Sequence, residues 1–115
     1  MRRLVFLIVF CVFSSSPLIT YANDFINGTN AIKRRSYEEA ATIFRAAAEK
    51  GDRHSQHCLG VMLYKGQGIK QDYNESFKWL DLAAKQGLSQ AQFDLGILIY
   101  LKKGVRENYV DEYTQ

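Results

Sequence analysis

The chain has 115 residues, of which 47% are hydrophobic and 23% charged, with a formal net charge of +3, one proline and two cysteines. This length allows a single domain. The composition excludes a disordered tail, a collagen-like fibre and a disulfide-dense mini-protein.

The amino-terminal segment 1–22 has the layout of a secretory signal peptide. A cationic start at Arg2 and Arg3 precedes an apolar run, and small residues Thr20 and Ala22 stand at the two positions that a signal peptidase reads. We therefore predict cleavage after Ala22 and a periplasmic or secreted protein. The apolar run has only about half of the ~20 residues that a membrane-crossing helix needs. A retained anchor is thus the weaker alternative, and we expect no stable membrane insertion after cleavage.

Cleavage would change both the charge and the cysteine content. Residues 23–115 carry 13 Lys and Arg against 12 Asp and Glu, so the net charge falls to +1. A nucleic-acid binder normally shows an extended basic face, and a single basic run at 33–35 does not provide one, so no nucleic-acid partner is expected. Cys11 follows Phe10, whereas lipoprotein signals need small residues there. Cys58, left alone, cannot form an intrachain disulfide.

Helical periodicity divides the mature chain into five helices and a stub. The first is predicted over 24–33, capped by Asn23 or Asp24, so that residues 23–36 form an amino-terminal capping helix. Residues 109–115 begin another helix and form a carboxy-terminal stub. Between them, four helices are predicted: 37–50, 54–64, 73–86 and 90–102.

Glycines and short polar residues mark the boundaries of these helices. Gly51, Gly66 and Gly87 stand where helices end, Gly51 at a position that favours left-handed geometry. Asp72 and Ser89 stand where an N-cap would begin the following helix. Each helix is therefore predicted to be short and followed by a tight turn.

The chain repeats itself with a shift of 36 residues. Blocks 37–72 and 73–108 share ten identities, which fall mostly on small and apolar positions: Tyr37/Tyr73, Glu39/Glu75, Ala47/Ala83, Ala48/Ala84, Gly51/Gly87, Gln56/Gln92, Leu59/Leu95, Gly60/Gly96, Tyr64/Tyr100 and Gly68/Gly104. A shared packing scheme would preserve such positions. No single helix pair can bury its apolar face alone, so the two repeats are predicted to stack into a short all-α solenoid.

Two glycines inside helices, Gly60 and Gly96, predict a close approach of neighbouring helices. Gly costs about 1 kcal/mol relative to Ala in a helix interior, and close packing would offset that cost. We expect the alanine pairs at 47–48 and 83–84 to lie opposite these glycines. Large side chains would fill the gaps between helix pairs: Phe44, Trp79, Tyr64 and Tyr100.

The glycine-containing motif of both blocks resembles a known family. It reads Leu59-Gly60-x-x-x-Tyr64-x-Gly66-x-Gly68 in the first block and Leu95-Gly96-x-x-x-Tyr100-x-x-x-Gly104 in the second. This motif is similar to the Sel-1-like repeat, a relative of the tetratricopeptide repeat, over roughly residues 37–108. The resemblance implies a short right-handed α-solenoid of stacked antiparallel helix pairs, used for scaffolding, complex assembly and host contact in bacteria. Cysteine-rich branches are associated with β-lactams, but this chain lacks their paired cysteines.

One cluster of residues could carry chemistry. His54, His57 and Cys58 lie at helical spacings of three and four, and three such ligands could hold zinc. A Cys–His nucleophilic pair is the other reading, but no orienting or oxyanion group accompanies it. The equivalent residues of the next block are ordinary surface types, so we favour a structural interpretation. No catalytic residue, metal or cofactor is predicted.

The charged positions have structural explanations as well. Glu38, Glu39 and Glu75 could be imagined as acid/base carboxylates, but they lie in first helical turns, where the helix dipole favours negative charge. The basic run at 33–35 lies at a helix carboxy terminus, where the dipole favours cations. Contact of this run with an acidic lipid or partner is the alternative.

A partner-binding groove is the functional prediction. Stacked pairs would present a concave surface lined by helices 54–65 and 90–102. Its outward positions would be His54, His57, Val61, Lys65, Gln90, Phe93, Ile97 and Leu101. An exposed Phe93 and Ile97 would form an apolar patch of the kind that marks a binding surface. Both could instead pack inward against a terminal helix; the two arrangements are equally compatible for Phe93, and the inward one is favoured for Ile97.

The leading hypothesis is therefore an exported adaptor that binds an unidentified protein. A more specific version is a periplasmic immunity protein that neutralises a secreted toxin. The alternatives are an envelope hydrolase acting on β-lactams or the cell wall, and a host-interaction factor. A short solenoid could also be a fragment, or could be completed by a partner or by a second copy as a homo-oligomer.

Overall fold

The computed structural model describes residues 17–100, and side chains from Ala22 onward. This part of the chain is entirely α-helical apart from its turns. Its five helices are α1 (Pro17–Lys33), α2 (Tyr37–Glu49), α3 (Arg53–Lys65), α4 (Tyr73–Lys85) and α5 (Ser89–Tyr100). The predicted all-α fold is confirmed. The predictions for residues 1–16, for Leu101 and for the stub at 109–115 lie outside the described residues.

Helix α1 begins earlier than expected. Its first residue is Pro17, so Asn23 and Asp24 lie inside the helix and the predicted cap at either residue is wrong. Proline is favoured in the first helical turn because its missing N–H would have no partner there. Residues 18–22 contain no glycine or further proline that would end the helix. The helix therefore runs through the position after Ala22 at which cleavage is predicted.

The turns between the later helices follow the predicted chemistry. The Asp72 carboxylate accepts a hydrogen bond of 3.0 Å from the backbone N–H of Glu75, as an N-cap does. Gly51, Gly66 and Gly87 have φ angles of 102°, 69° and 87°, in the left-handed region that favours glycine. Helix α5 starts at Ser89 itself, one position before the predicted start at residue 90.

Contacts between alternate helices define two layers. In one layer the Phe25 ring of α1 lies 5.5 Å from the His54 ring of α3, measured between centroids. The same layer continues from α3 to α5 through His57 and Asp94. In the other layer Arg45 of α2 reaches Glu75 of α4. Helices α1, α3 and α5 thus lie side by side, with α2 and α4 packed behind them.

The core fills the space between the layers. Its main cluster joins the first three helices and contains small residues from α2 beside a few large ones: Ala31, Ala40, Ala41, Phe44, Ala48, Leu59, Met62 and Leu63. Two smaller clusters join α4 and α5, around Leu80 with Leu98 and around Ala83 with Leu88 and Ala91. Small residues let the helix backbones approach, and Phe44 is the largest of the fully buried side chains.

A repeated side-chain bond explains one of the internal identities. The Gln56 amide donates to the carbonyl oxygen of Ala48 at 3.2 Å, and the Gln92 amide donates to that of Ala84 at 3.3 Å. These two bonds occupy equivalent positions in the two 36-residue blocks. Each ties the start of one helix to the end of the preceding one, where carbonyl groups have no intrahelical partner.

The close approach predicted at Gly60 is present, but alanine is not its partner. A Cβ added to Gly60 would lie 2.7 Å from Leu80 Cγ and 3.3 Å from the carbonyl oxygen of Ser76. The pairs at 47–48 and 83–84 instead lie near the turns at 51 and 87, where Ala47, Ala48 and Ala83 are buried and Ala84 is partly buried. Tyr100, expected to fill a gap, is 81% exposed. Both expectations failed because a sequence period shows which positions are equivalent and not which side chains meet.

Candidate interaction surface

The layer of α1, α3 and α5 carries seven of the eight predicted partner-binding residues. Two of them are partly used in packing: His54 lies against Phe25, and Val61 packs against the Leu80 and Leu98 cluster. His57 is half-buried in a hydrogen-bond contact with Asp94. The remaining described members are exposed, and they are Lys65, Gln90, Phe93 and Ile97.

His57 and Asp94 connect α3 to α5. His57 Nε2 lies 2.6 Å from Asp94 Oδ2, and the two side chains are 17% and 33% exposed. Sequence reasoning treated Asp94 as an ordinary surface residue and missed this pair. Residues 37 positions apart in the chain become neighbours only because the two helices lie side by side. The pair fixes the spacing of the two helices at the middle of the surface.

Phe93 is the most exposed large apolar side chain of this surface among its predicted members. It is 69% exposed, and no described helix covers it. Ile97, one helical turn further along, is 36% exposed. The terminal helix against which it was expected to pack lies outside the described residues. Both residues lie on α5, and spacing of four places them on one side of that helix. Together they form an apolar patch beside the His57–Asp94 pair.

The three residues considered for zinc or for nucleophilic catalysis do not form a site. Within residues 22–100, no group of three or more His, Cys, Asp and Glu side chains stands close enough to hold a metal ion. His57 faces Asp94, whereas Cys58 packs against the main core cluster. Burial, and to a lesser degree the charge of Asp52, raises the pKa of the Cys58 thiol to about 11. The thiol is therefore protonated at neutral pH and is a poor nucleophile or ligand.

The opposite layer holds a shallow groove rather than a reactive cleft. Its volume is about 450 Å³, and it is lined by α2 and by the turn after α3 through Glu38, Ala41, Thr42, Arg45, Ala46, Glu49, Gly68 and Ile69. Arg45 donates to Glu75 Oε1 at 2.7 Å, and the Trp79 indole donates to the same oxygen at 3.3 Å. Glu75, predicted to act only through the helix dipole, thus also links α2 to α4.

The described side chains leave no buried polar group without a partner. Between residues 22 and 100, every buried side-chain nitrogen or oxygen has a hydrogen bond. The hydrogen bonds of this region are structural ones: caps, helix ties and ion pairs. None of the helices over 17–100 has both the length and the apolar character to cross a bilayer. What this surface offers is an exposed apolar patch with polar surroundings, suited to contact with another macromolecule.

Comparison with known proteins agrees with this architecture. The family model described as the Sel1 repeat matches residues 25–52, 54–88 and 89–110. The first matched segment includes most of α1, so the matched boundaries differ from the two blocks read from the 36-residue shift. Among curated proteins, none matches the sequence significantly.

A solved structure is also similar to this chain. It is the crystal structure of a protective antigen present in uropathogenic Escherichia coli strains, which displays an SLR fold. The two sequences are 33% identical, and the TM-score is 0.68. The match covers 71% of this chain but only 18% of that one, so the present chain corresponds to a small part of the antigen.

Proposed function

Because the chain belongs to the Sel1 repeat family, whose repeats are protein–protein interaction modules, we propose that it is an exported adaptor that binds a protein partner. The proposed binding surface is the layer of α1, α3 and α5, and Phe93 is the residue expected to contribute most to the affinity for the partner. Export is supported by the signal-like segment 1–22. Cleavage after Ala22 would make Asn23 the first residue of α1, and asparagine is favoured at helix N-termini.

The observation that carries the proposal is the exposure of Phe93. Because Phe93 is 69% exposed, it contributes far less to the free energy of folding than a core residue does, and it leaves apolar area in contact with water. Aromatic residues surrounded by polar groups are typical of interface centres. His57 and Asp94 hold the neighbouring backbone in place, so the ring is presented on a rigid support.

The test is capture of the partner with matched variants. The tagged protein is purified from the envelope of its own cells, and bound proteins are identified by mass spectrometry. Phe93→Ser should reduce partner recovery by about tenfold or more. Leu82→Ser is the control, since Leu82 is 45% exposed but lies on α4 in the opposite layer. Equal recovery with wild type and Phe93→Ser would refute the proposed surface.

A more specific form of this proposal is that the adaptor is a periplasmic immunity protein that neutralises a secreted toxin. The support for it is the small size and the signal-like leader, neither of which requires it. A captured partner that kills cells when exported alone, and that is harmless beside the wild-type chain, would support this role. Full viability of a deletion strain under attack by a toxin-delivering neighbour would contradict it.

Location in the envelope is tested separately from binding. Fractionation should place the protein in the periplasm or the medium, and amino-terminal sequencing should read Asn23 as the first residue. An amino terminus at Met1 in a cytoplasmic fraction would refute export while leaving the binding surface untouched.

A further inference from the structure

Helix α1 is followed by an arginine at the position where a glycine follows α2, α3 and α4. At the end of each of these four helices, a backbone N–H donates to the carbonyl oxygen five residues earlier, and the residue just before this donor has a left-handed φ. After α2, α3 and α4 that residue is Gly51, Gly66 and Gly87. After α1 it is Arg35, with a φ angle of 60°. A side chain in this conformation costs free energy, because its Cβ crowds the following carbonyl group.

No described hydrogen bond or ion pair of the Arg35 side chain offsets this cost. The side chain is exposed, and among residues 22–100 it has no charged or hydrogen-bonded partner. Its neighbour Arg34, by contrast, pairs with Glu39 at 3.2 Å. Residues in strained conformations cluster at ligand sites and other functional positions. The unused guanidinium of Arg35 is therefore available to an anionic ligand.

The turn after α1 lies directly against the turn after α3. A Cβ added to Gly68 would clash with the backbone carbonyl of Tyr37, the residue that follows the first of these turns. Phe25 and His54 make an earlier contact between the same two helices. The two contacts succeed each other in the same order along both segments, so α1 and α3 run in the same direction and end at one edge of the solenoid.

Positive charge is concentrated at this edge. Over residues 33–39 and 65–72, five Lys and Arg stand with three Asp and Glu, whereas the rest of residues 22–100 has five against six. The edge therefore carries a net charge of +2 on a remainder of −1. Four of its cations are exposed and have no described ion-pair partner, and we call them the basic edge: Lys33, Arg35, Lys65 and Lys70.

The helix dipole explains only half of the basic edge. Lys33 and Lys65 stand in the last turns of α1 and α3, where the dipole favours cations. Arg35 and Lys70 stand in the turns beyond those helices. Their charges have no such local explanation, so the grouping of all four requires another cause.

The composition of the edge favours a lipid surface over a protein partner. Among residues 33–36 and 65–72, no large apolar side chain is exposed. The centres of protein interfaces are rich in aromatic residues and poor in lysine. Anionic headgroups, in contrast, attract exposed Lys and Arg without any apolar anchor. None of the four cations lines the groove beside α2, so a ligand meets them on the outer surface of the turns.

We propose that the basic edge binds the anionic headgroups of a lipid surface. The turns after α1 and α3 rest on the headgroups, and no segment enters the apolar part of the bilayer. Phe93 lies on α5, outside both turns, and stays free to bind another molecule. The two sites are therefore independent, and loss of lipid binding leaves the proposed partner surface untouched.

Co-sedimentation with lipid vesicles tests the proposal, with the protein purified in the form that cells accumulate. At low salt, vesicles of about one-third phosphatidylglycerol in phosphatidylcholine should bind it at least about tenfold more tightly than vesicles of phosphatidylcholine alone. Arg35→Gly and Lys70→Gln should each weaken this binding about fivefold, the effect of one cation near an anionic surface. Added salt should weaken it further. Lys78→Gln is the matched control and should bind like wild type, because Lys78 is exposed and unpaired among the described residues but lies in the middle of α4.

Urea unfolding separates a loss of binding from a loss of folding. Glycine suits the left-handed φ of residue 35, so Arg35→Gly should unfold at a urea concentration equal to or higher than that of wild type. Weaker binding by a variant that is at least as stable as wild type comes from the missing charge.

Each of three results would overturn this assignment. Arg35→Gly could bind the anionic vesicles as tightly as wild type does. Vesicles of phosphatidylcholine alone could bind the protein as tightly as the anionic ones, which would mean apolar insertion. Polyglutamate or a DNA duplex could bind it more tightly than the vesicles do at an equal concentration of anionic groups, which would assign the basic edge to an acidic protein segment or to nucleic acid.

Discussion

The α3–α4 interface and the outer face of α5 are built from equivalent residues with different surroundings. Gly60 meets Leu80 so closely that no Cβ fits, whereas Gly96 meets no described atom. Tyr64 packs beside Tyr73, whereas Tyr100 is 81% exposed. The same local sequence therefore lies in a buried interface in one repeat and on a face that no described residue covers in the next. In a solenoid, a residue's energetic role depends on whether another helix follows it.

The difference between the two faces is tested most directly by replacing each glycine, Gly60 or Gly96, with alanine, which adds one methyl group. Gly60→Ala should lower the free energy of unfolding by about 2 kcal/mol, because Leu80 and the Ser76 carbonyl must move. Gly96→Ala should raise it by up to about 1 kcal/mol, because alanine is the better helix former and the added Cβ meets no described atom within 4 Å. Urea denaturation measures both. Equal losses in the two variants would show that Gly96 is packed like Gly60.

Cys58 provides a test in the main core cluster, against which its side chain packs. Burial raises the pKa of Cys58 from 9.0 to about 11, so the folded protein holds its thiol proton at pH values where the unfolded chain loses it. The contribution of this thiol to the free energy of unfolding is fully present below pH 9 and is lost as the pH rises towards 11. Between pH 9 and pH 10, wild type should lose about 1 kcal/mol more than Cys58→Ala.

Urea unfolding of both proteins at these two pH values measures the effect. The alanine variant is the control, since the two chains differ only at residue 58. Parallel losses in the two proteins would mean that the thiol ionises alike in the folded and unfolded states.

Ser76 tests the polar part of the covered interface. Its hydroxyl is fully buried and donates to the Gly60 carbonyl at 2.6 Å. Ser76→Ala should cost about 1 kcal/mol, the usual net contribution of such a bond. The double variant with Gly60→Ala should cost less than the two single losses combined, because both changes act at one contact. Thermal unfolding of the four proteins gives the coupling, and strict additivity would contradict it.

The sequence predicted the turns better than it predicted contacts between helices. Gly51 and Asp72 could be assigned because each acts within a few residues, through left-handed geometry or through a cap. The His57–Asp94 pair could not, because it joins residues 37 positions apart that meet only after the helices stack. Tyr100 was expected to fill a gap because Tyr64 does, but the period carries no information about what covers the last described helix. Predictions made from a sequence repeat are therefore most often wrong for the helix at the end of the described array, where the covering helix differs.

The smallest effect is expected in the opposite layer, where Arg45 and Glu75 join α2 to α4. Both side chains are about one-third exposed, at 35% and 33%, so water screens much of their attraction. Glu75→Gln should therefore cost only about 0.5 kcal/mol, and the loss should shrink as salt is added. Glu39→Gln is the control. Glu39 also stands in a first helical turn, but it pairs with Arg34 of the turn before α2, and both side chains are more than 50% exposed. A loss for Glu75→Gln that is insensitive to salt would show that it comes from the Trp79–Glu75 hydrogen bond within α4 rather than from the ion pair that joins the two helices.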